Sequence, residues 1–389
     1  MIRSDKFIII ATTIFLNFTA LARNIPVTVF ARGEGGYDMF RIPAVLQAAN
    51  GDVLAFCEGR NGSGDTGKIE LVMKRSSDGG ETWGDIQVIW KDGENTCGNP
   101  APVLDRESGR IIIVTTWNDG RDVERDIRMV RSIDTRRVFC FHSDDNGNSW
   151  STPLEITSTA KMPEWTWYAT GPCHAVQLQN GPHKGRIVVP CNHGLPPEMK
   201  NGTIRARTVS HVIFSDDLGA TWHIGGTLDV GNESTAAELK DGRIVLNRRV
   251  DNSYLEDWKA NGRCRQVAYS ADGGETFGKP FFDKGLPEPR CQGTIVNYTR
   301  KGRLTNRLLF CNPSSEQRNN MWLKLSTDGG KRWRSVRRIC EGNAAYSDIF
   351  VDRNGSVGVL YENGDKNAYD RISFVRVEPS AIKNAKKNK

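Results

Sequence analysis

The sequence predicts an all-β chain built from one repeated unit, and three observations carry that expectation. Thirty-nine Gly, ten Trp and fifteen Phe among 389 residues, with no long Ala/Leu/Glu run at helical spacing, favour many short strands joined by tight turns. One eight-residue pattern occurs five times: SSDGGETW at 76–83, SDDNGNSW at 143–150, SDDLGATW at 215–222, SADGGETF at 270–277 and STDGGKRW at 326–333. Its starts are 67, 72, 55 and 56 residues apart, too long for a helical-pair solenoid and suited to a four-stranded propeller blade. A repeat of this kind lets one core exceed the usual length of a single domain.

Each copy reads as a hairpin turn. Short apolar segments at 69–73, 138–141 and 212–214 precede three of them, so the pattern falls where one strand ends and the next begins. Asp78, Asp145, Asp217, Asp272 and Asp328 are placed to accept backbone N–H groups within the turn, and Gly80, Gly147, Gly219, Gly274 and Gly330 to take the position with positive φ. The terminal aromatic is expected to pack beneath. These aspartates are therefore expected to be structural.

At the amino end Arg3 and Lys6 precede an uncharged stretch at 7–22 that closes on Ala20, Leu21 and Ala22. That arrangement reads as a secretory signal peptide at 1–22 with cleavage after Ala22, too short for the ~20 residues of a spanning helix. Residues 23–389 are then one domain with a short basic tail at about 380–389, secreted or periplasmic, with no membrane span after cleavage. In an oxidising compartment some of the nine cysteines are expected to pair. None has CxxC or Cys/His spacing, so no metal site and no cofactor are expected.

The 53 basic and 46 acidic residues give a net charge of +7, dispersed apart from the tail. A diffuse excess suits an anionic small ligand, and no nucleic-acid motif accompanies it. No second binding module is visible, so a monomer is expected. Three arginines interrupt apolar segments, where a guanidinium must find partners: Arg41 in FRIPAV, Arg249 after IVLN, and Arg318 between CNP and the apolar stretch at 323–325.

The eight-residue pattern is the Asp box, and residues 40–43, FRIP, match a motif of the sialidases; the chain resembles that family through nearly its whole length. The resemblance continues in AFCEGR at 55–60, Asp65, Asn232 with Glu233, ELKDG at 238–242, CQG at 291–293 and AYSD at 345–348. It implies a six-bladed β-propeller of four-stranded antiparallel blades. The 367 residues from Arg23 onwards then leave about 61 per blade, and the sixth blade lacks a box. The first strands and a last segment around 356–361 would close the ring and remove exposed edges.

The resemblance also implies a site. Arg41, Arg249 and Arg318 would grip the carboxylate of a sialic acid, because planar guanidinium forks bind carboxylates bidentately without losing their charge. Glu362 would steady Arg41. A fixed carboxylate at the anomeric carbon would repel an acidic nucleophile, and sialidases use a tyrosine instead. That residue is Tyr346, with Glu233 as its base and Asp65, on a glycine-rich loop, as the acid and then base. Since a free phenol has a pKa of ≈ 10, neighbouring arginines and a base are needed to make it reactive. Arg60 is expected to contact the sugar's substituents, Gln292 to point toward the ligand, and Glu58 to support Arg60 or the acid loop. Trp165, Trp167 and Tyr168 are expected either to line the glycerol or aglycone side or to pack in the core. His174 and His193 receive no role. The activity implied is a retaining exo-α-sialidase acting on sialylated glycoproteins, glycolipids and oligosaccharides; the alternatives are a non-hydrolytic sialic-acid-binding propeller and a trans-sialidase or intramolecular trans-sialidase.

Overall fold

Strands arrive along this chain in groups whose members pair with their sequence neighbours. A computed structural model describes residues 25–200 and 202–387, so the predicted leader lies outside the described residues. Met39–Gln47, Val53–Arg60, Ile69–Ser76 and Gln87–Trp90 pair antiparallel in order, as do Thr96–Leu104, Ile111–Asn118, Arg137–Ser143 and Leu154–Glu155. A single parallel bridge, Ile69 to Thr96, joins these two groups. Tyr168–Thr170, Ile187–Gly194, Thr208–Ser215 and His223–Val230 form a third group, with Val176–Gln177 beside Ile187–Gly194. Ser234–Glu238, Ile244–Arg248, Cys264–Ser270 and Phe281–Pro287 form a fourth.

The last sheet is continuous through one long strand. Arg334–Val351 pairs with Asn319–Ser326 over its first half and with Val357–Gly364 over its second. Thr294–Asn297 and Leu308–Pro313 continue the sheet on one side, Arg371–Val377 on the other. Val27–Ala31 then pairs with Arg371–Val377, so the first and last long strands of the described chain share a sheet. The helices are short, and among the described residues none is long and apolar enough to cross a membrane.

Burial follows from this layering. Ile187–Gly194 and Thr208–Ser215 are buried at every position, because both faces of their sheet carry a neighbour. The cores lie between successive groups: Ile112, Val114 and Val138 of the second meet Ile187, Val189 and Ile213 of the third.

All five Asp boxes form the expected turn. In the first, Ser76 Oγ donates to Asp78 at 2.7 Å and accepts from the Gly80 N–H at 2.8 Å, while Asp78 accepts the N–H of Thr82 at 2.9 Å. Gly80 has φ +99°, and a Cβ there would lie 2.0 Å from the Phe374 ring, so both backbone and space require glycine. The boxes share a relationship the sequence does not display. Gly80 faces Phe374 of the last group, Gly147 faces Leu54 of the first, Gly219 faces Ile112 of the second, Gly274 faces Val188 of the third, and Gly330 faces Tyr269 of the fourth. Each turn thus seals its group against the one before it, in cyclic order.

The expectation of disulfides is corrected: all nine cysteines are free, eight of them buried. They sit in strands and between sheets as small apolar side chains.

Candidate active site

Three inner strands lose regular pairing at positions that matter for the site. Met39–Gln47 bulges between Arg41 and Ala44, Thr96–Leu104 between Gly98 and Ala101, and Arg334–Val351 between Ala344 and Ser347. Ile42 has φ +61° and Asn99 φ +54°, and a β-branched residue in that region marks stored strain. A bulge of this kind re-aims side chains, and Arg41 and Tyr346 are the side chains re-aimed.

The residues named from the sequence converge. Tyr346 Oη donates to Glu233 Oε1 at 2.5 Å. Arg249 Nη1 donates to Glu233 Oε2 at 2.8 Å and to Tyr346 Oη at 3.3 Å, which closes a triangle of phenol, carboxylate and guanidinium. The local backbone explains it: Glu233 and Arg249 flank two paired strands, and the Arg249 N–H donates to the Glu233 carbonyl at 2.8 Å. Arg41 and Arg318 stand over the Tyr346 ring, with Cζ at 5.1 and 5.5 Å from its centroid. Three cations thus surround one phenol.

Glu362 ties this cup together. Its Oε1 accepts Arg41 Nε at 2.7 Å and the Ile42 N–H at 3.0 Å, and its Oε2 accepts the Tyr346 N–H at 3.0 Å. One buried carboxylate therefore fixes the first arginine and the backbone of the phenol. Against burial, the Glu362 carboxylate holds Arg41 firmly protonated, and Glu233 does the same for Arg249. Tyr346 moves the other way. Burial and the Glu233 charge push its phenol well above the ordinary tyrosine value, and Arg249 and Arg318 offset only part of that. The phenol is therefore neutral at rest, and Glu233, 2.5 Å away, is the acceptor for its proton.

Asp65 lies on the loop between Val53–Arg60 and Ile69–Ser76 with its side chain 70% exposed. Arg60 Nη1 donates to Asp65 Oδ1 at 2.6 Å and to the Gly64 carbonyl at 2.9 Å. The far end of the loop is held by Thr66 Oγ1, which donates to the Asp122 carbonyl at 2.6 Å. Desolvation raises the Asp65 carboxyl, but Arg60 and Arg41 outweigh it and leave the group below the usual aspartate range.

One expectation changes here, that for Gln292. Arg60 is only 3% exposed, with Nε and Nη2 on Glu58 Oε2 at 2.8 and 2.5 Å, so it fastens the acid loop. Glu58 supports Arg60, as expected, and also accepts the Asn99 N–H at 2.8 Å. Gln292 is 2% exposed and turned away from the cup: Nε2 donates to the carbonyls of Pro172 at 3.1 Å and Ser347 at 2.9 Å, and Oε1 accepts the Ser347 N–H at 3.0 Å. It grips the peptide that follows Tyr346.

The aromatic segment is core. Trp165 stacks on His193 with centroids 3.4 Å apart, Tyr168 Oη and His211 Nε2 are 3.2 Å apart, and Trp167 lies under Arg136, 4.1 Å from its centroid. Sequence reading missed Arg136, which is buried and donates to Asn99, Thr116 and Asn118 at 2.6, 2.9 and 2.8 Å. It stands just before an apolar strand and not within one, so the signal that singled out Arg41 did not reach it. Tyr369 was missed too, with no signal around it.

Cys173, His174 and Asp348 offer ligand atoms within 4.8 Å of one another. His174 Nδ1 and Asp348 Oδ1, however, are 2.6 Å apart in a direct hydrogen bond, closer than two tetrahedral ligands at ~2.0 Å from one ion would stand. Asp348 also accepts the Val45 N–H and Thr294 Oγ1, both at 2.9 Å. The group joins four segments of the chain and does not resemble a metal centre.

A cationic cup around a phenol that is hydrogen-bonded to a carboxylate, on an all-β scaffold of Asp-box hairpins, is a site suited to an anionic ligand. The BNR repeat-like domain family matches residues 51–359, and the chain belongs to that family and to the sialidases within it. A sialidase of Micromonospora viridifaciens is 29% identical over 356 residues, 88% of this chain and 52% of that protein, so the chain spans about half the length of that relative. An exo-alpha-sialidase of Aspergillus fumigatus is 28% identical over 390 residues, 91% of this chain and 87% of that protein. Among solved structures, Hadza microbial sialidase Hz136 superposes with a TM-score of 0.77 at 25% identity, covering 92% of this chain and 69% of that one.

Proposed function

We propose that this chain is a retaining exo-α-sialidase that releases terminal sialic acid from sialylated glycoconjugates through a tyrosyl intermediate. One observation carries the reading: Tyr346 Oη lies 2.5 Å from Glu233 and 3.3 Å from Arg249 inside a ring of three guanidiniums. The substrate carboxylate would sit on Arg41, Arg249 and Arg318. Tyr346 Oη attacks the anomeric carbon as its proton passes to Glu233, the glycosidic bond breaks, and Asp65, which takes up a proton once the substrate carboxylate has neutralised Arg41, gives that proton to the leaving oxygen. Water then attacks the same carbon, giving a proton to Asp65, while the phenolate leaves and recovers its proton from Glu233. Two displacements retain the configuration. A neutral nucleophile suits an anionic substrate, and its high resting pKa is why a carboxylate must sit beside it.

Six blades are part of the same reading, with Arg334–Val351 divided between the fifth and sixth and Val27–Ala31 completing the last. The cyclic box contacts support a closed ring. So is a secreted or periplasmic monomer whose single domain, at 23–389, follows a leader at 1–22.

The test is hydrolysis of an aryl sialoside by the wild-type chain and by Tyr346→Phe and Asp65→Ala, with NMR of the first product. Release of α-sialic acid, with turnover lowered at least about 100-fold in both variants, is expected. Sugar binding without release would favour the lectin alternative; an anhydro sugar or a sialylated acceptor would favour transfer. Unchanged rates in both variants would reject the assignment.

A further inference from the structure

We infer that Tyr369 is a positioning residue for the carboxylate site, holding two of its three arginines at once; the inference rests on the functional reading above. Its ring lies against Arg41, with Cζ 4.2 Å from the centroid, closer than the 5.1 Å between that guanidinium and the Tyr346 ring. Its hydroxyl accepts Arg318 Nη1 at 2.7 Å. The other hydrogen bond of Arg318 among the described residues runs from Nη2 to the Arg290 carbonyl at 3.2 Å, so Tyr369 is the hydrogen-bond partner that fixes Nη1. Arg41 is thus held along its edge by Glu362 and on its face by Tyr369.

The hairpin that carries Tyr369 is built to place it. Val357–Gly364 supplies Glu362, and the turn that follows supplies Tyr369, so one strand pair delivers both partners of Arg41. Asn367 Oδ1 accepts the Tyr369 N–H at 2.8 Å, and Asp370 Oδ2 accepts the Lys366 N–H at 2.9 Å. Arg371 closes the turn on Asp365 at 3.0 Å. Such a turn fixes the ring before any ligand arrives, and three like charges need that help because each repels the others. The hydroxyl has no acceptor for its own proton among the described residues, which leaves it free to donate toward an anion held by Arg318.

The experiment compares wild type with Tyr369→Phe, which keeps the ring and removes the hydroxyl, and with Tyr369→Leu, which removes both. KM and kcat are measured on sialyl-lactose, and Kd on 2-deoxy-2,3-didehydro-N-acetylneuraminic acid and on its uncharged methyl ester. Loss of one hydrogen bond to a charged group predicts KM and the Kd of the acid about 5- to 20-fold higher in Tyr369→Phe, with kcat within about threefold and the ester unchanged. Tyr369→Leu should lose more on the same two readouts. KM and Kd within twofold of wild type in Tyr369→Phe, or equal losses for acid and ester, would overturn the inference. A wild-type chain that neither binds the acid nor cleaves the substrate would overturn the functional reading instead, so the two failures are distinguishable.

Discussion

Gln292 holds the peptide of Ser347 from both sides, accepting its N–H at 3.0 Å and donating to its carbonyl at 2.9 Å. Replacing it with Leu would leave both of those groups and the Pro172 carbonyl without a partner in a buried place. Each such group costs about 1–3 kcal/mol, and partial relaxation brings the expected total to about 2–5 kcal/mol in denaturant unfolding. Because Tyr346 is the preceding residue, kcat should also fall at least about 10-fold. Gln292→Glu should do no better, since its carboxylate would face two carbonyls. Stability and kcat both within error of wild type for Gln292→Leu would show that the clamp is incidental.

Arg41 lowers the Asp65 carboxyl through space, second only to Arg60 among the charges that do so. A substrate carboxylate on Arg41 neutralises that charge, so the Asp65 pKa should be higher in the complex than in the free protein. The limb of the pH profile that disappears in Asp65→Asn is therefore expected at higher pH for kcat than for kcat/KM. Coincident limbs, or a shift to lower pH, would contradict the arrangement.

His193 Nδ1 and His211 Nδ1 are 3.0 Å apart, which requires one to donate and the other to accept, both rings being neutral. Burial, with Lys161 nearby, brings His193 down to about 3, and burial with the His193 charge lowers His211 as well. The folded pKa lies below the unfolded value of ~6.5, so the unfolded chain binds more protons in acid. Stability is then complete above about pH 6.5 and falls as pH drops toward 3, approaching about 1.4 kcal/mol per pH unit for each histidine. His174 is different. Burial lowers it, but Asp348 outweighs that and leaves it raised, so its contribution is complete below about pH 6.5 and is lost only on the alkaline side. Unfolding from pH 7 to pH 4.5 should show a slope that becomes shallower in His193→Phe, which keeps a ring against Trp165. An unchanged slope would assign the acid sensitivity elsewhere.

The parts of this fold legible in the sequence are those set by local chemistry. Five Ser-x-Asp-x-Gly turns announce themselves because each closes through bonds within eight residues, as Ser76, Asp78, Gly80 and Thr82 do. Arg41 and Arg249 were found because a charge in an apolar strand needs a reason. Gln292 is expected to face the ligand from the family's CQG segment alone, and that segment does not reveal that the peptide after Tyr346 takes both ends of its amide. The pairing of Glu58 with Arg60 was legible because residues two apart on one strand share a face. Tyr369 lay in a turn with no motif, and its two arginines come from positions 41 and 318. Such roles exist only once the chain is folded.

The central claim is that Tyr346 bonds covalently to the sugar, and trapping tests it most directly. A 3-fluorosialosyl fluoride slows the second displacement and lets the first intermediate accumulate. Trypsin should then release residues 339–353 carrying one fluorosialyl mass, located on Tyr346 by fragmentation, with no label in Tyr346→Phe. A chain that turns the substrate over but carries the label on Glu233, or that carries no label and gives the inverted anomer as its first product, would contradict the account.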